Sequence, residues 1–571
     1  MATPPTPVLA RLALLVLAGS LAACGGGSDS APSAASVTLP SASGPQAPVL
    51  TLTPMVAKTF RFTWSDVAGE TNYRLLEDPD GTSGYTLLAT LPANTTAHDH
   101  GLFLPARVNA RYILQACRAG TCLDSAPVSV SGQLVAAIGF LKADVSTADD
   151  RFGYSVALSS DGSTLAVGAP GESSAFSGIA AQEPASANDQ VNSGAVYVHV
   201  RQGQRWQLQA FLKSPANALH DSFGKSLALS ATGDTLAVGA RAGNTGRVHL
   251  FARASGTWSE RQQLVASNAA PGRSFGQSLA LSAAGTVLAV GDPMESAGAL
   301  RNNGAVYLFV DDGTLWSERA LLRASAPEDQ AFFGSKVSLS GAGDTLAVGA
   351  PESSSTTPYG GSAYVFTGSG ANWTQQVELK APHDLAELSF GASVALSSDG
   401  TTLAIGARGD DSGVVGDPLD GSASLSGAVH VFGRDGMNWL HQAYLKAAHP
   451  GMDDQFGRAV SLSGDGNTLV VGAPYERSTA DGLGGDQAND GSSEVGAAYV
   501  FRRQGLTWRQ RAYVKAPNSG PGDTFGMDLA LSADGQTLAV GAYGESSSAS
   551  GWNAAHDSNN DEAGSGAVYL Y

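Results

Sequence analysis

Cysteine, aromatic residues and charged residues are all scarce in this chain. Only 3 of 571 residues are cysteine, aromatic residues make up 7% and charged residues 15%. Three cysteines exclude a disulfide-rich scaffold and a cysteine-based zinc cluster. The ten histidines form no His-x-x-x-His pair, which argues against a metallohydrolase of the usual kind. The net charge of −18 argues against nucleic acid as a partner, because a phosphate backbone is bound by basic surfaces.

Glycine and apolar residues, in contrast, are abundant. The chain contains 70 glycines, and hydrophobic residues account for 43% of it. This composition is too apolar for a disordered chain and too rich in glycine for a helical bundle. It predicts an all-β protein with many turns.

The N-terminus has the plan of an export signal. Residues 8–23 are a short apolar run with one arginine, and the run ends in Leu21-Ala22-Ala23-Cys24. This ending resembles the lipobox of bacterial lipoproteins. The resemblance implies that residues 1–23 are a signal peptide, that Cys24 is lipidated, and that the protein is anchored to a membrane. Residues 24–46 then form a flexible Gly/Ser/Ala/Pro-rich tether. Gly25 after the cysteine favours an outer-membrane lipoprotein of the bacterial cell envelope, facing the periplasm or the surface.

Residues 47–131 contain short alternating strands. The order of Trp64, Tyr73 and Tyr112 resembles a fibronectin type III domain, in which the early tryptophan and the late tyrosine belong to the core of a small β-sandwich. Cys117 and Cys122 follow a strand-like segment, five residues apart. In an exported protein this spacing suits a disulfide across a hairpin turn.

The remaining residues, 132–571, are a repeat. The dipeptide Phe-Gly recurs at seven equivalent positions of the repeat, and each of these copies opens an alternating run that is followed by a Thr-Leu-Ala-Val-Gly-Ala type run, a loop, and two further strand-like runs. Four antiparallel strands in each unit predict a seven-bladed β-propeller, because one such sheet cannot bury both of its faces alone. The chain ends on a third strand, and the segment that ends in Leu141-Lys142-Ala143 supplies a fourth strand, so one chain end should complete the sheet of the other.

The Phe-Gly and Gly-Ala-Pro signatures resemble the FG-GAP repeats of integrin α chains. Calcium loops of that family read Asp-x-Asx-x-Asp-Gly-x-x-Asp, an oxygen-rich cage between the first and second strands. Here the matching loops, such as residues 159–164, keep at most one aspartate and read as tight hairpin turns.

Length variation in the repeats is confined to the end that carries the loops between the second and third strands. Blades one, five, six and seven have long loops there, and acidic residues recur beside them. The candidate acidic face consists of Asp150, Glu172, Asp189, Asp454, Glu476, Asp486, Asp490, Asp523, Glu545, Asp557 and Asp561. Two interpretations stay open: the face binds calcium or a cationic or polyhydroxylated ligand, or its acids only keep an exported protein soluble.

The combined prediction is a non-catalytic lipoprotein that presents its propeller for adhesion to a protein or glycan. Calcium is the candidate cofactor. One alternative is an enzyme or accessory subunit that acts on extracellular polysaccharide, and another is an assembly factor of the cell envelope. Arg408-Gly409-Asp410 spells an adhesion tripeptide but occupies a framework position of the repeat. The Lys and Arg residues that end the fourth strands are interpreted as packing and strand-edge residues.

Overall fold

The computed structural model describes residues 46–184, 190–354, 357–383, 385–553 and 559–571. The chain divides into two units, Met1–Gln46 and Ala47–Tyr571. The predicted signal peptide, Cys24 and almost all of the predicted tether lie outside the described residues. Within the described residues, no helix has the length and apolar character needed to cross a membrane. Helical structure there is limited to the 3-10 segments Leu104–Arg107, Leu134–Ala137 and Ala242–Asn244.

The first β-region is built from two antiparallel sheets. One sheet has the order Thr51–Met55, Thr59–Thr63, Ala97–Gly101. The other has the order Thr86–Pro92, Asn72–Asp78, Arg111–Arg118, Thr121–Asp124, with Val128–Ser129 paired to Arg111–Arg118. Apolar side chains of both sheets share one core, which contains Phe60, Phe62 and Tyr112. Trp64 is also buried there and lies 5.5 Å from the ring of Tyr73.

Seven antiparallel sheets follow, and we number them 1 to 7. Their strands, in order from first to fourth, are Ser155–Leu158, Thr164–Ala169, Ala195–Gln202 and Arg205–Lys213 in sheet 1; Ser226–Leu229, Thr235–Ala240, Arg247–Ala254 and Thr257–Leu264 in sheet 2; Ser278–Leu281, Val287–Asp292, Ala305–Asp311 and Trp316–Leu322 in sheet 3; Lys336–Leu339, Thr345–Ala350, Ser362–Ser369 and Asn372–Leu379 in sheet 4; Phe390–Leu396, Thr402–Ala407, Ala428–Asp435 and Asn438–Leu445 in sheet 5; Ala459–Leu462, Thr468–Ala473, Ala497–Gln504 and Thr507–Val514 in sheet 6; and Leu529–Leu531, Leu538–Ala542, Ala567–Leu570 and Gly139–Leu141 in sheet 7. In sheet 1 an extra strand, Gly178–Ala180, pairs with the fourth strand.

The second strand of each sheet is buried along almost its whole length. Thr164–Ala169 and Thr345–Ala350 have no exposed residue. A strand buried on both faces reads as a continuous apolar run rather than an alternating one, which explains the Thr-Leu-Ala-Val-Gly-Ala pattern. The apolar clusters lie between neighbouring sheets: Val196 and Val198 of sheet 1 pack with Val238 and Phe251 of sheet 2.

The seven sheets form a closed ring. The first strands of neighbouring sheets contact one another in order, and the first strand of sheet 7 contacts that of sheet 1. The turns between first and second strands are joined around the axis by backbone hydrogen bonds of 2.8–3.0 Å, from Ser160 to Ala231, Ala231 to Ala283, Ala283 to Gly341, Gly341 to Ser398, Ser398 to Gly464, Gly464 to Ala533 and Ala533 to Ser160. This architecture is a β-propeller.

The two ends of the repeat region meet in sheet 7. Gly139–Leu141 pairs antiparallel with Ala567–Leu570, so that Phe140 lies opposite Tyr569. The predicted completion of the last sheet by the segment before the first repeat is confirmed. Every sheet of the ring therefore has a fourth strand.

The Phe-Gly dipeptides join one sheet to the next. In each case the phenylalanine forms a parallel bridge with the glycine that precedes the third strand of the preceding sheet, as Phe223 does with Gly194. Gly224 has φ +89°, and a Cβ atom on it would lie 2.5 Å from the carbonyl oxygen of Ala195. A Cβ atom on Gly168 would lie 2.1 Å from the carbonyl oxygen of Gly224. The repeated glycines are therefore required by close approach of backbones between sheets.

The small sandwich packs against sheets 6 and 7. Its core cluster continues into Val500, Val514 and Tyr571. The ammonium group of Lys58 donates hydrogen bonds to the carbonyl of Gln536 and to the hydroxyl of Thr537. Burial lowers the pKa of Lys58 to about 7.

Candidate functional site

The two ends of the ring differ in construction. One end carries the short turns within each sheet. The other, which we call the loop-bearing end, carries the connections between second and third strands, at residues 170–194, 241–246, 293–304, 351–361, 408–427, 474–496 and 543–566. The long connections belong to sheets 1, 5, 6 and 7, which are consecutive in the closed ring. Loops on a rigid scaffold are the usual place for recognition, so this end is the candidate site.

A buried lysine lies beside the point where each long loop leaves its sheet, which we call the base of the loop. The four residues directly follow or end the fourth strand of their sheets and are at most 4% exposed: Lys142, Lys213, Lys446 and Lys515. Each pairs with the acidic residue that begins the long loop of the same sheet, respectively Glu545, Glu172, Asp410 and Glu476. Burial lowers the pKa of each lysine, and the paired carboxylate opposes this effect.

Lys213 shows how the pairing holds a loop. Its ammonium group donates to a carboxylate oxygen of Glu172, to the carbonyl oxygen of Ser174 at 2.9 Å and to the hydroxyl of Ser193 at 2.8 Å. Glu172 and Ser174 lie at the start of the 170–194 loop, and Ser193 lies at its end. Since an ammonium group has three N–H donors, one side chain fixes both ends of the loop.

Lys142 and Lys446 likewise contact both ends of their loops, whereas Lys515 contacts only the start of its loop, through Glu476 and Ser478. Lys142 binds the Ser547 carbonyl at 2.7 Å and the Ser565 hydroxyl at 2.8 Å. Lys446 binds the Ser426 hydroxyl at 2.7 Å, and Lys515 binds the Ser478 carbonyl at 2.8 Å.

In the three sheets with short loops, the residue at this position is not a fully buried lysine. It is Val265 in sheet 2, Arg323 in sheet 3 and Lys380 in sheet 4. Val265 is 50% exposed, and Lys380 lies 3.7 Å from Glu378 in a partly exposed pair. Arg323 donates to Glu295 at 2.9 Å. A fully buried lysine at this position therefore accompanies a long loop.

The acids that precede Phe-Gly are also buried. Asp150 accepts hydrogen bonds from the backbone N–H and the hydroxyl of Thr147. Asp454 and Asp523 each accept a backbone N–H, from Gly451 and Gly520 respectively. Burial raises the pKa of each of these three carboxyl groups to about 7.

These placements correct the predicted acidic face. Six of its members are at most 4% exposed and are held by lysines or backbone donors: Asp150, Glu172, Asp454, Glu476, Asp523 and Glu545. Asp486, Asp490 and Asp561 are exposed in the loops, whereas Asp189 and Asp557 lie outside the described residues. Among the described residues, no group of three or more His, Cys, Asp or Glu side chains is arranged to hold a metal ion.

Two further assignments are settled by contacts. The four buried lysines at the ends of the fourth strands are packing residues, as predicted, and each also forms an ion pair at the base of a loop, which was not predicted. Asp410 of the Arg-Gly-Asp tripeptide is 3% exposed and bound to Lys446, as the framework interpretation expects.

The structure also joins Cys117 to Cys122 by a disulfide, and the two residues lie directly opposite each other in the hairpin.

A cavity of about 660 Å³ opens on the axis of the ring. It is lined by the first residues of the first strands and by residues that directly follow second strands, so it lies at the loop-bearing end. Basic and acidic side chains both line it: Lys225, Lys336, Arg408, Arg458, Glu352 and Asp528.

A second cavity, of about 1060 Å³, lies beside the extra strand of sheet 1 and is lined in part by Glu183, His199 and Trp552. Burial raises the pKa of Glu183 to about 7 and lowers that of His199 to about 3. Both carboxylate oxygens of Glu183 already accept hydrogen bonds, from the Tyr197 hydroxyl at 2.7 Å and the Val145 N–H at 2.9 Å. Glu183 therefore ties the segment that follows the extra strand to sheet 1.

A family model described as FG-GAP repeat matches residues 258–309, 316–366, 373–432 and 439–501. Each matched unit runs from the fourth strand of one sheet to the third strand of the next. No curated protein matches this chain in sequence.

Solved structures resemble the chain only distantly. The WD40 repeats of RRP9 have 12% identity and a TM-score of 0.42, over 76% of this chain and 96% of that one. A putative 6-phosphogluconolactonase from Bacteroides uniformis has 11% identity and a TM-score of 0.40, over 78% and 98%. The Dos1 propeller has 12% identity and a TM-score of 0.38, over 76% and 94%. From the family match and the ring of sheets together, this chain is a β-propeller with FG-GAP repeats.

Proposed function

We propose that the chain is a non-catalytic binding protein whose seven sheets are the blades of a seven-bladed propeller. The surface formed by the long loops of sheets 1, 5, 6 and 7 contacts a protein or glycan. The observation that carries this proposal is the buried lysine at the base of each of those loops. Preorganised loops lose less conformational entropy when they bind a partner, so fixing both ends of a long loop favours recognition.

The remaining parts of the chain fit presentation of this surface at a membrane. Residues 1–23 act as a lipoprotein signal, Cys24 carries the lipid anchor, and residues 24–46 are the tether. Residues 47–131 form a fibronectin type III-like domain, which the three-strand and five-strand sheets and the buried Trp64 and Tyr112 support. The protein is exported to the bacterial cell envelope, with the outer membrane as its site.

In this proposal, calcium is bound only by exposed carboxylates of the long loops. The buried acids at the loop bases carry compensating lysines, whereas Asp486 and Asp490 lie exposed in the loop of sheet 6. Carboxylate oxygens are the ligands that calcium prefers. Calorimetric titration with calcium should therefore be weakened by Asp490→Asn and left unchanged by Asn at Asp311, an acid of sheet 3 far from these loops.

The test of the binding role compares the two ends of the ring. The labelled full chain is applied to an array of acidic and neutral glycans and to intact bacterial cells. In one variant residues 411–424 are replaced by a short Gly-Ser turn, which retains Asp410, Ser426 and Lys446. In the matched control, Met437→Gln and Leu506→Gln change two turn residues that are 73% and 72% exposed at the opposite end of sheets 5 and 6.

We expect binding to glycans or cells to be lost in the loop variant and retained in the turn variant. Equal binding by both variants, or loss only in the turn variant, would contradict it. Hydrolysis or cleavage of an arrayed polysaccharide by the full chain would instead support the enzymatic alternative.

A further inference from the structure

The axial cavity is more basic than the chain around it. Four basic and two acidic side chains line it, whereas the whole chain has 33 basic and 51 acidic residues. The basic residues are Lys225, Lys336, Arg408 and Arg458. They come from four different sheets and are brought together only by closure of the ring.

The repeat itself does not account for Lys336. In sheets 1, 2, 3 and 5 the residue at this register is a serine whose hydroxyl donates to the carbonyl oxygen of the glycine of the next Phe-Gly, at 2.6–2.8 Å. Lys336 lies opposite Gly349, as Ser278 lies opposite Gly291. Ala459 and Asp528 take this register in sheets 6 and 7, so the ring does not require the serine, and Lys336 and Asp528 place charged groups in the cavity.

Acidic side chains compensate only part of the positive charge. Arg408 lies 3.8 Å from Glu352, and Lys225 donates to the neutral Gln277 at 2.6 Å. Within the described part of the chain, Arg458 forms no ion pair. Asp528 accepts the backbone N–H of Val156 at 2.9 Å, and its charge interacts with those of both Lys336 and Arg458.

The cationic groups also act on one another. The charge of Arg458 lowers the pKa of both Arg408 and Lys336, in addition to the larger effect of burial. Positive charges that line one cavity and act on one another favour an anion between them.

We propose that the axial cavity binds the carboxylate or phosphate group of a small anionic ligand, with Arg458, Lys336 and Lys225 as its cationic contacts. A guanidinium group binds either anion through two parallel N–H donors, and an ammonium group adds a point charge. A volume of about 660 Å³ is in the range of small-molecule sites and accommodates a ligand of sugar-acid size. This site is separate from the long-loop surface and does not depend on the function proposed for that surface.

Calorimetry with three probes tests the site and distinguishes the two anions. The full chain is titrated with D-glucuronate, inorganic phosphate and D-glucose at up to about 10 mM, which is tenfold above the Kd of a weak site of about 1 mM. Heat with glucuronate alone identifies a carboxylate site, and heat with phosphate identifies a phosphate site. The proposal is overturned if neither anion binds, or if neutral glucose binds as well as glucuronate.

Two variants and one control test the residues. Lys336→Ser restores the residue of the repeat and should fold, while Arg458→Gln removes the unpaired guanidinium group. Each should weaken anion binding about tenfold or more, as expected for loss of a charge-assisted hydrogen bond. Arg509→Gln, an exposed residue on the fourth strand of sheet 6, should leave binding unchanged.

Melting curves show whether each variant is folded. If Arg458→Gln fails to melt cooperatively, Lys336→Ser decides the question. Undiminished anion binding by a folded Lys336→Ser variant would overturn the assignment.

Discussion

The ammonium group of Lys213 forms a buried ion pair with Glu172 at the base of the longest loop of sheet 1. Neither side chain is more than 5% exposed. The same pairing recurs in the three other sheets that carry long loops, whereas in sheet 3 the partly exposed Arg323 pairs with Glu295 and sheet 2 has Val265 at this position. Loop length and the buried cation are therefore coupled features of one unit of the repeat.

Removing one partner of this pair should be costly. Lys213→Met leaves the Glu172 carboxylate buried without a cation and should lower the free energy of unfolding by about 3–5 kcal/mol. Adding Glu172→Leu should recover much of that loss, because an apolar pair leaves no buried charge. Denaturant unfolding of the two single variants and the double variant measures the coupling. The matched control, Lys380→Met, changes a partly exposed pair and should cost about 1 kcal/mol or less. Additive losses in the double variant would contradict the pairing.

Ionisation of three buried aspartates should lower the free energy of unfolding as the pH rises from about 4 to 7. Asp150, Asp454 and Asp523 have an ordinary pKa of 3.8 that burial raises to about 7 in the folded state. Between these values the folded state binds protons that the unfolded state has released, so each group destabilises the fold as it ionises.

Melting temperatures of the wild type and of Asp454→Asn at pH 5 and pH 8 check this expectation. Between pH 5 and pH 8, raising the pH should destabilise the wild type relative to Asp454→Asn, because only the wild type ionises this buried carboxyl group. Asp561→Asn, at an exposed loop position, is the control. An unchanged pH dependence in Asp454→Asn would contradict the assigned pKa.

Closure of the ring should make residues before the first repeat essential to its stability. Phe140 is fully buried and its ring lies 5.3 Å from that of Tyr569. Phe140→Ala should cost about 3–5 kcal/mol, the usual range for a buried phenylalanine. Leu87→Ala, at a site that is 51% exposed, should cost less than about 0.5 kcal/mol. Similar melting temperatures for the two variants would mean that this strand does not hold sheet 7 together.

The architecture was predictable because every repeat carries the same local sequence patterns. The seven Phe-Gly positions, the continuous apolar second strands and the unpaired strand at each chain end predict a closed ring of sheets. The hairpin interpretation of loops such as residues 159–164 also follows from Asp-Gly. In the structure, Asp161 accepts hydrogen bonds from Ser159 and Ser163 within that turn.

The chemistry of the loop-bearing end was harder to predict. Charged side chains are normally exposed, so Glu172 and Glu476 were expected on the surface, and only the register of the fourth strands shows that a lysine meets each of them. The axial cations were missed because Lys225, Lys336 and Arg458 occupy variable positions of three separate repeats. Nothing local to any one of those repeats indicates a shared cavity.

Buried lysines that fix the long loops at their bases are the central feature of the proposed binding surface. Hydrogen–deuterium exchange of the wild type, Lys213→Met and Lys380→Met measures this directly. The account predicts that backbone amides at both bases of the 170–194 loop, including those of Ser174 and Ser193, exchange faster in Lys213→Met, while the strands of sheets 2 to 6 keep their protection. Lys380→Met should match the wild type at that loop. Unchanged exchange at both bases in a folded Lys213→Met variant would contradict the account.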